Sequence, residues 1–170
     1  MQDIPLEYFA TAAHLLAAQP STDPARIITM GYSRVSEAAL LLAENYPRLI
    51  HGAWTYRRKP ISQSTIRLDH LSGPLLSIAG ADDTLWASPA YAKQIAAQLN
   101  DNHDRYPHQS LIYPGAGHGV GTFPYLATAT SLFNRTTGRN ANLGGSRAAD
   151  AAARERGWPR VLSLLADARH

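Results

Sequence analysis

Three residues of this 170-residue chain have types and positions suited to nucleophilic chemistry: Ser33, Asp83 and His118. A serine hydroxyl is a weak nucleophile until a base takes its proton. A histidine can be that base, and a carboxylate on its other ring nitrogen fixes the tautomer and stabilises the imidazolium. Each candidate lies in a turn-forming string that directly follows an apolar run. Ser33 ends Gly31-Tyr32-Ser33, Asp83 ends Gly80-Ala81-Asp82-Asp83, and His118 ends Tyr113-Pro114-Gly115-Ala116-Gly117-His118. Singly, each has a plainer explanation. A serine after a glycine at a helix start is usually an N-cap, an Asp-Asp before a helix is usually turn chemistry, and a histidine among glycines is often simply exposed. Jointly they are far more specific, because three turns in the order serine, acid, histidine carry the three residue types that the chemistry needs. Of the two acids, Asp83 is the candidate and Asp82 its solvated neighbour.

The elements that must position these residues alternate along the chain. Residues 5–19 read as an amphipathic helix, with Phe9, Ala12, Ala13, Leu16 and Ala17 on one stripe. Two prolines, Pro20 and Pro24, end it. A strand is expected at 27–30, a helix at 37–45 and a second strand at 49–56. Residues 57–71 show no period and read as an irregular surface excursion. A third strand is expected at 74–79 and a helix from Ser88, as N-cap before Pro89, to Leu99. A fourth strand is expected at 110–113, a helical segment near 125–133, a loop at 138–145, and a final helix at 147–168. Gly157 and Pro159 are expected to kink that last helix. Strands alternating with helices predict an α/β domain with a mostly parallel sheet. Such sheets hold ligands beyond the carboxyl ends of their strands, which is where all three candidates fall.

Composition sets the outer bounds. A length of 170 residues is one domain's worth and can bury a core without staples. The chain has no cysteine, which removes disulfides, thiolate metal sites and thiol nucleophiles together. Sixteen basic against 13 acidic residues give a formal charge of +3. Arg57-Arg58-Lys59 is the only basic run, and without aromatic interleaving it reads as a solvated loop rather than a nucleic-acid patch. His103 and His108 flank Asp104 at spacings that suit no metal pattern, so no metal and no cofactor is expected. No apolar run is long enough for a membrane span, and the start lacks the layout of a signal peptide, so a cytoplasmic location is expected.

The turn at Ser33 can be tested further. A nucleophile elbow needs a small residue two positions before the serine, and Gly31 meets that need. Two positions after it there is usually another glycine. Here that position is Val35, a β-branched residue that could widen the elbow or misaim Ser33.

Taken with their neighbours, these strings resemble the C-terminal domain of the bile acid-CoA:amino acid N-acyltransferases and acyl-CoA thioester hydrolases. The likeness is carried by Ile4-Pro5-Leu6-Glu7-Tyr8-Phe9, by Gly31-Tyr32-Ser33-Arg34 with Glu37-Ala38-Ala39-Leu40, and by Gly80-Ala81-Asp82-Asp83 with Trp86 and Ser88. The histidine string is its most specific part, and Gly144-Gly145, Ala152, Trp158, Val161 and Leu165 extend it to the end. The resemblance implies an α/β-hydrolase fold and attack on the thioester carbonyl of an acyl-CoA. It implies Ser33 as nucleophile, Asp83 as acid, His118 as base, and the backbone N–H of Arg34 as one oxyanion-hole donor. It also implies hydrolysis over transfer to an amino acid, since transferring members tend to carry cysteine at the nucleophile position.

Two other readings stay open. One keeps the fold and changes the substrate, as in a dienelactone-hydrolase-like or peptidase-like enzyme. The other is a catalytically dead remnant or interaction module. Only one helix precedes Ile27, so the strand carrying Ser33 has no inner neighbour in this sequence. The expectation is therefore the C-terminal part of a longer hydrolase. Ile27, Ile28 and Met30 would form an exposed apolar edge, open to aggregation or self-association.

Overall fold

The computed structural model describes residues 4–33, 35–56, 66–135 and 138–167. Its centre is a parallel four-stranded sheet of β1 (Thr29–Tyr32), β2 (Ala53–Tyr56), β3 (Leu75–Gly80) and β4 (His108–Tyr113), paired in that order. Helices α1 (Leu6–Ala17), α2 (Val35–Asn45), α3 (Ser88–Asp101) and α4 (Arg147–Asp167) alternate with or follow the strands. The mostly parallel α/β architecture read from the sequence is the one observed.

Strand β3 shows why the molecule has three layers. All six of its residues are buried. Leu75 joins one apolar cluster with Ala10 and Ala13 of α1, Leu40 and Ala43 of α2, and Leu99 of α3. Leu76 and Ile78 join another with Ala153, Val161 and Leu164 of α4. Successive strand side chains point to opposite faces, so a strand covered on both must be apolar throughout. The sheet is thus sandwiched between α1–α3 and α4.

Several sequence expectations shift. The first strand begins at Thr29 rather than Ile27. Ile27 is buried in the cluster beneath α1 and α2, and Ile28 packs against the α4 side. The expected apolar edge therefore reduces to Met30, which is 51% exposed on an edge strand. The helical segment expected near 125–133 is absent. That stretch enters a hairpin, β5 (Ser131–Asn134) against β6 (Arg139–Asn142), paired antiparallel. Gly138, at φ +65°, closes the hairpin by donating its N–H to the Asn134 carbonyl. Ser88 is the first residue of α3, not its N-cap; Ala87 caps without a side-chain bond. Helix α4 runs through Gly157 and Pro159 as one element. Arg57-Arg58-Lys59 lies outside the described residues. Among the described residues, no helix is long and apolar enough to cross a membrane.

Candidate active site

The turn from β1 into α2 is sharp and brings Ser33 back over the end of its own strand. Ser33 has φ +55°, the left-handed region that non-glycine residues rarely enter. The bend is held from both ends: Ser36 donates its backbone N–H to the Ser33 carbonyl at 3.1 Å, and its Oγ–H to the Gly31 carbonyl at 3.0 Å. A Cβ at Gly31 would lie 2.4 Å from the Ser36 Cα, so only glycine fits. The close approach in this elbow falls on Gly31. Val35 is the first residue of α2, and the Ser33 Oγ stands 3.1 Å from His118 Nε2.

The acid comes from the loop after β3. Asp83 Oδ1 accepts the backbone N–H groups of Leu85 at 2.8 Å and Trp86 at 2.9 Å. Oδ2 accepts the Ser88 hydroxyl at 3.0 Å and faces His118 Nδ1 at 2.9 Å. Its side chain is fully buried and that of His118 is 5% exposed. With the imidazole proton on Nδ1, His118 donates to Asp83 and offers its Nε2 lone pair to the Ser33 hydroxyl. Asp82, by contrast, is exposed. The expected carboxylate is the one that meets the histidine.

The histidine loop after β4 is pinned at almost every residue. His118 donates its N–H to the Leu143 carbonyl at 2.7 Å, and its own carbonyl accepts the Tyr32 hydroxyl at 3.3 Å. Asp82 donates its N–H to the Ala116 carbonyl at 2.9 Å, which ties the acid loop to the histidine loop. Gly117 lies against the backbone of Gly144, where a Cβ would come 2.1 Å from the carbonyl oxygen. Backbone-to-backbone contact of that kind recurs at Gly80, Gly144 and Gly145.

Sequence reasoning missed four supporting residues. Ser88 looked like a helix cap and instead donates to Asp83, because a buried carboxylate needs donors more than an exposed helix end does. Tyr32 reads in the sequence only as the middle of the turn string, and the structure makes it the last residue of β1. Asp150 and Arg154, one acid and one base four apart in an alanine-rich helix, drew no attention in the sequence, yet both are buried. The backbone of Arg34, the expected oxyanion donor, lies outside the described residues. His108 is occupied elsewhere, with Nε2 at 3.0 Å from Asn100 Oδ1.

A family described as BAAT / acyl-CoA thioester hydrolase C terminal matches residues 49–169. The chain belongs to this family. The matched span contains Asp83 and His118; Ser33 precedes it. Among curated relatives, mouse acyl-coenzyme A amino acid N-acyltransferase 1 is 27% identical over 97% of this chain and 49% of its own length. Mouse peroxisomal succinyl-coenzyme A thioesterase is 31% identical over 58% of this chain and 23% of its own length. The chain thus spans about half the length, or less, of these relatives. A solved Klebsiella pneumoniae protein described as a dienelactone hydrolase superposes with a TM-score of 0.63 at 19% identity, over 95% of this chain and 60% of its own. Porphyromonas gingivalis dipeptidyl peptidase 4 gives 0.65 at 14% identity, over 95% and 22%. These likenesses show the α/β-hydrolase fold of the family member described here.

Proposed function

We propose that this chain carries the catalytic triad of a serine acyl-CoA thioester hydrolase, with Ser33 as nucleophile, His118 as general base and acid, and Asp83 as its orienting carboxylate. The observation that supports it is the hydrogen-bonded line from Ser33 Oγ through both nitrogens of His118 to Asp83, starting from a serine in a strained left-handed turn. In this reading Ser33 Oγ attacks the thioester carbonyl carbon while its proton passes to His118 Nε2. The tetrahedral oxyanion is stabilised by backbone N–H groups, among them that of Arg34. Collapse breaks the carbon–sulfur bond, and His118 returns the proton to the leaving thiolate. Water, deprotonated by the same Nε2, then attacks the acyl-serine ester; the acyl carbon–Oγ bond breaks, His118 returns the proton to Ser33 Oγ, and the carboxylic acid is released.

A second oxyanion donor would be another backbone N–H close to the Ser33 Oγ. Lacking one donor costs on the order of a hundred- to a thousand-fold in rate. The substrate is an acyl-CoA or a related small ester, and no nucleic acid or cofactor enters.

The test is labelling by a fluorophosphonate probe followed by peptide mapping, together with thioester turnover against a nitrophenyl-ester panel. Modification at Ser33 and preference for the thioester support the proposal. An unmodified Ser33 would make the chain a dead remnant, and ester-only turnover would change the substrate class.

A further inference from the structure

Helix α4 places two charged side chains, Asp150 and Arg154, one turn apart on its inner face. Asp150 is fully buried and Arg154 nearly so. Charged groups are seldom buried without a specific task for their hydrogen bonds. Asp150 Oδ1 accepts the backbone N–H of Gly117 at 2.7 Å. Arg154 donates Nε–H to the carbonyl of Gly119 at 2.5 Å. Its Nη1 donates to the carbonyls of Leu126 at 2.8 Å and Ala127 at 3.2 Å. Gly117 and Gly119 are the two neighbours of His118. One turn of α4 therefore grips the backbone immediately before and immediately after the histidine.

We infer that Asp150 and Arg154 are positioning residues that hold His118 in line between Asp83 and Ser33; this rests on the triad reading above. A spacing of four puts both side chains on one helix face, so a rigid helix sets the distance between the two grips. The groups that meet His118 are Ser33 and Tyr32 from the end of β1 and Asp83 from the acid loop, with Asp150 of α4 within electrostatic reach. Burial pushes the Asp150 carboxyl above its ordinary range, against the Gly117 N–H and the Arg154 charge, which pull it down. Its observed part in the loop is that of a hydrogen-bond acceptor for the Gly117 N–H. Among the described residues, its Oδ2 has no hydrogen-bond partner.

The experiment uses the full chain with Asp150→Ala, Asp150→Asn and Arg154→Lys. Val161→Ala serves as control, since it opens a cavity on the same helix without touching the histidine loop. Three readouts are taken: the downfield imidazole N–H proton resonance of the His118–Asp83 bond, the rate of Ser33 labelling by fluorophosphonate, and kcat against KM for a thioester. Asp150→Ala should broaden the resonance and lower labelling and kcat by roughly ten- to a hundred-fold, the scale of a small misplacement of a catalytic group, with KM little changed. Asp150→Asn should recover most of both, because its amide oxygen can accept from Gly117. Arg154→Lys should resemble Asp150→Ala, since one ammonium cannot serve the Gly119 carbonyl and the 126–127 carbonyls together. This variant decides the matter if Asp150→Ala does not fold. The inference is overturned if these variants lose only thermal stability, as Val161→Ala should, with resonance and kcat intact. It is also overturned if Asp150→Asn folds and stays as slow as Asp150→Ala. A wild-type chain with no labelling and no turnover would sink the hydrolase reading, while the resonance would still decide the grip on His118.

Discussion

The hydroxyl of Tyr32 donates to the backbone carbonyl of His118 at 3.3 Å, so the residue beside Ser33 holds the loop that carries the histidine. The two rings also meet edge-on, with centroids 5.9 Å apart. Tyr32 is partly buried, and burial pushes its phenol above the ordinary range, which favours the protonated, hydrogen-bond-donating form. Tyr32→Phe keeps the ring contact and removes the tether. We expect a loss of about 0.5–1.5 kcal/mol in stability, the usual worth of one hydrogen bond. Chemical denaturation of the two proteins measures it, and an unchanged midpoint would show the tether to be idle.

The triad residues should behave as a unit. Ser33→Ala and His118→Ala are each expected to remove nearly all thioester turnover, with the double variant little worse than either single one. Asp83→Asn should be severely impaired, since an amide facing Nδ1 favours the wrong tautomer. Asp82→Asn should be near wild type, because that side chain is exposed. Steady-state kinetics of the five proteins settles the roles; wild-type turnover in Ser33→Ala would end the serine mechanism.

Gly31→Ala tests the elbow without touching a reactive group. The added methyl would meet the Ser36 Cα at 2.4 Å and the Ser36 N and Val35 O at 2.6 Å. These are backbone atoms, which cannot swing aside as a side-chain tip can. The expected cost is about 3 kcal/mol or more, at the upper end for overpacking. A denaturation midpoint equal to wild type would mean that the turn is looser than its geometry indicates.

Trp158 packs α4 onto its apolar cluster and meets Phe123 edge-on at 4.9 Å. Because it is only partly buried, Trp158→Ala should cost about 2–3 kcal/mol, below the range for a fully buried aromatic. Val161 and Leu164, which follow it, are buried as a helical face requires, whereas Leu165 turns outward at 37% exposure. Melting at the wild-type temperature with impaired turnover would move Trp158 from the core to the site.

The sequence by itself determined the alternation of elements, and with it the parallel sheet, because apolar runs and helical stripes are local properties of the chain. It also singled out Ser33, Asp83 and His118, since each follows a strand and strand ends converge in this architecture. It could not determine the hairpin at 131–142, where no strong period distinguishes a strand from a helical turn. Nor could it separate Ser88 the cap from Ser88 the donor, because that choice depends on a carboxylate that the fold buries beside it. The tertiary structure alone decided that Asp150 and Arg154 face inward onto the flanks of His118. The same pair on an exposed face would be a surface ion pair worth a few tenths of a kcal/mol. What makes it different is burial, which depends on where α4 docks against the sheet and which no local pattern of residues encodes.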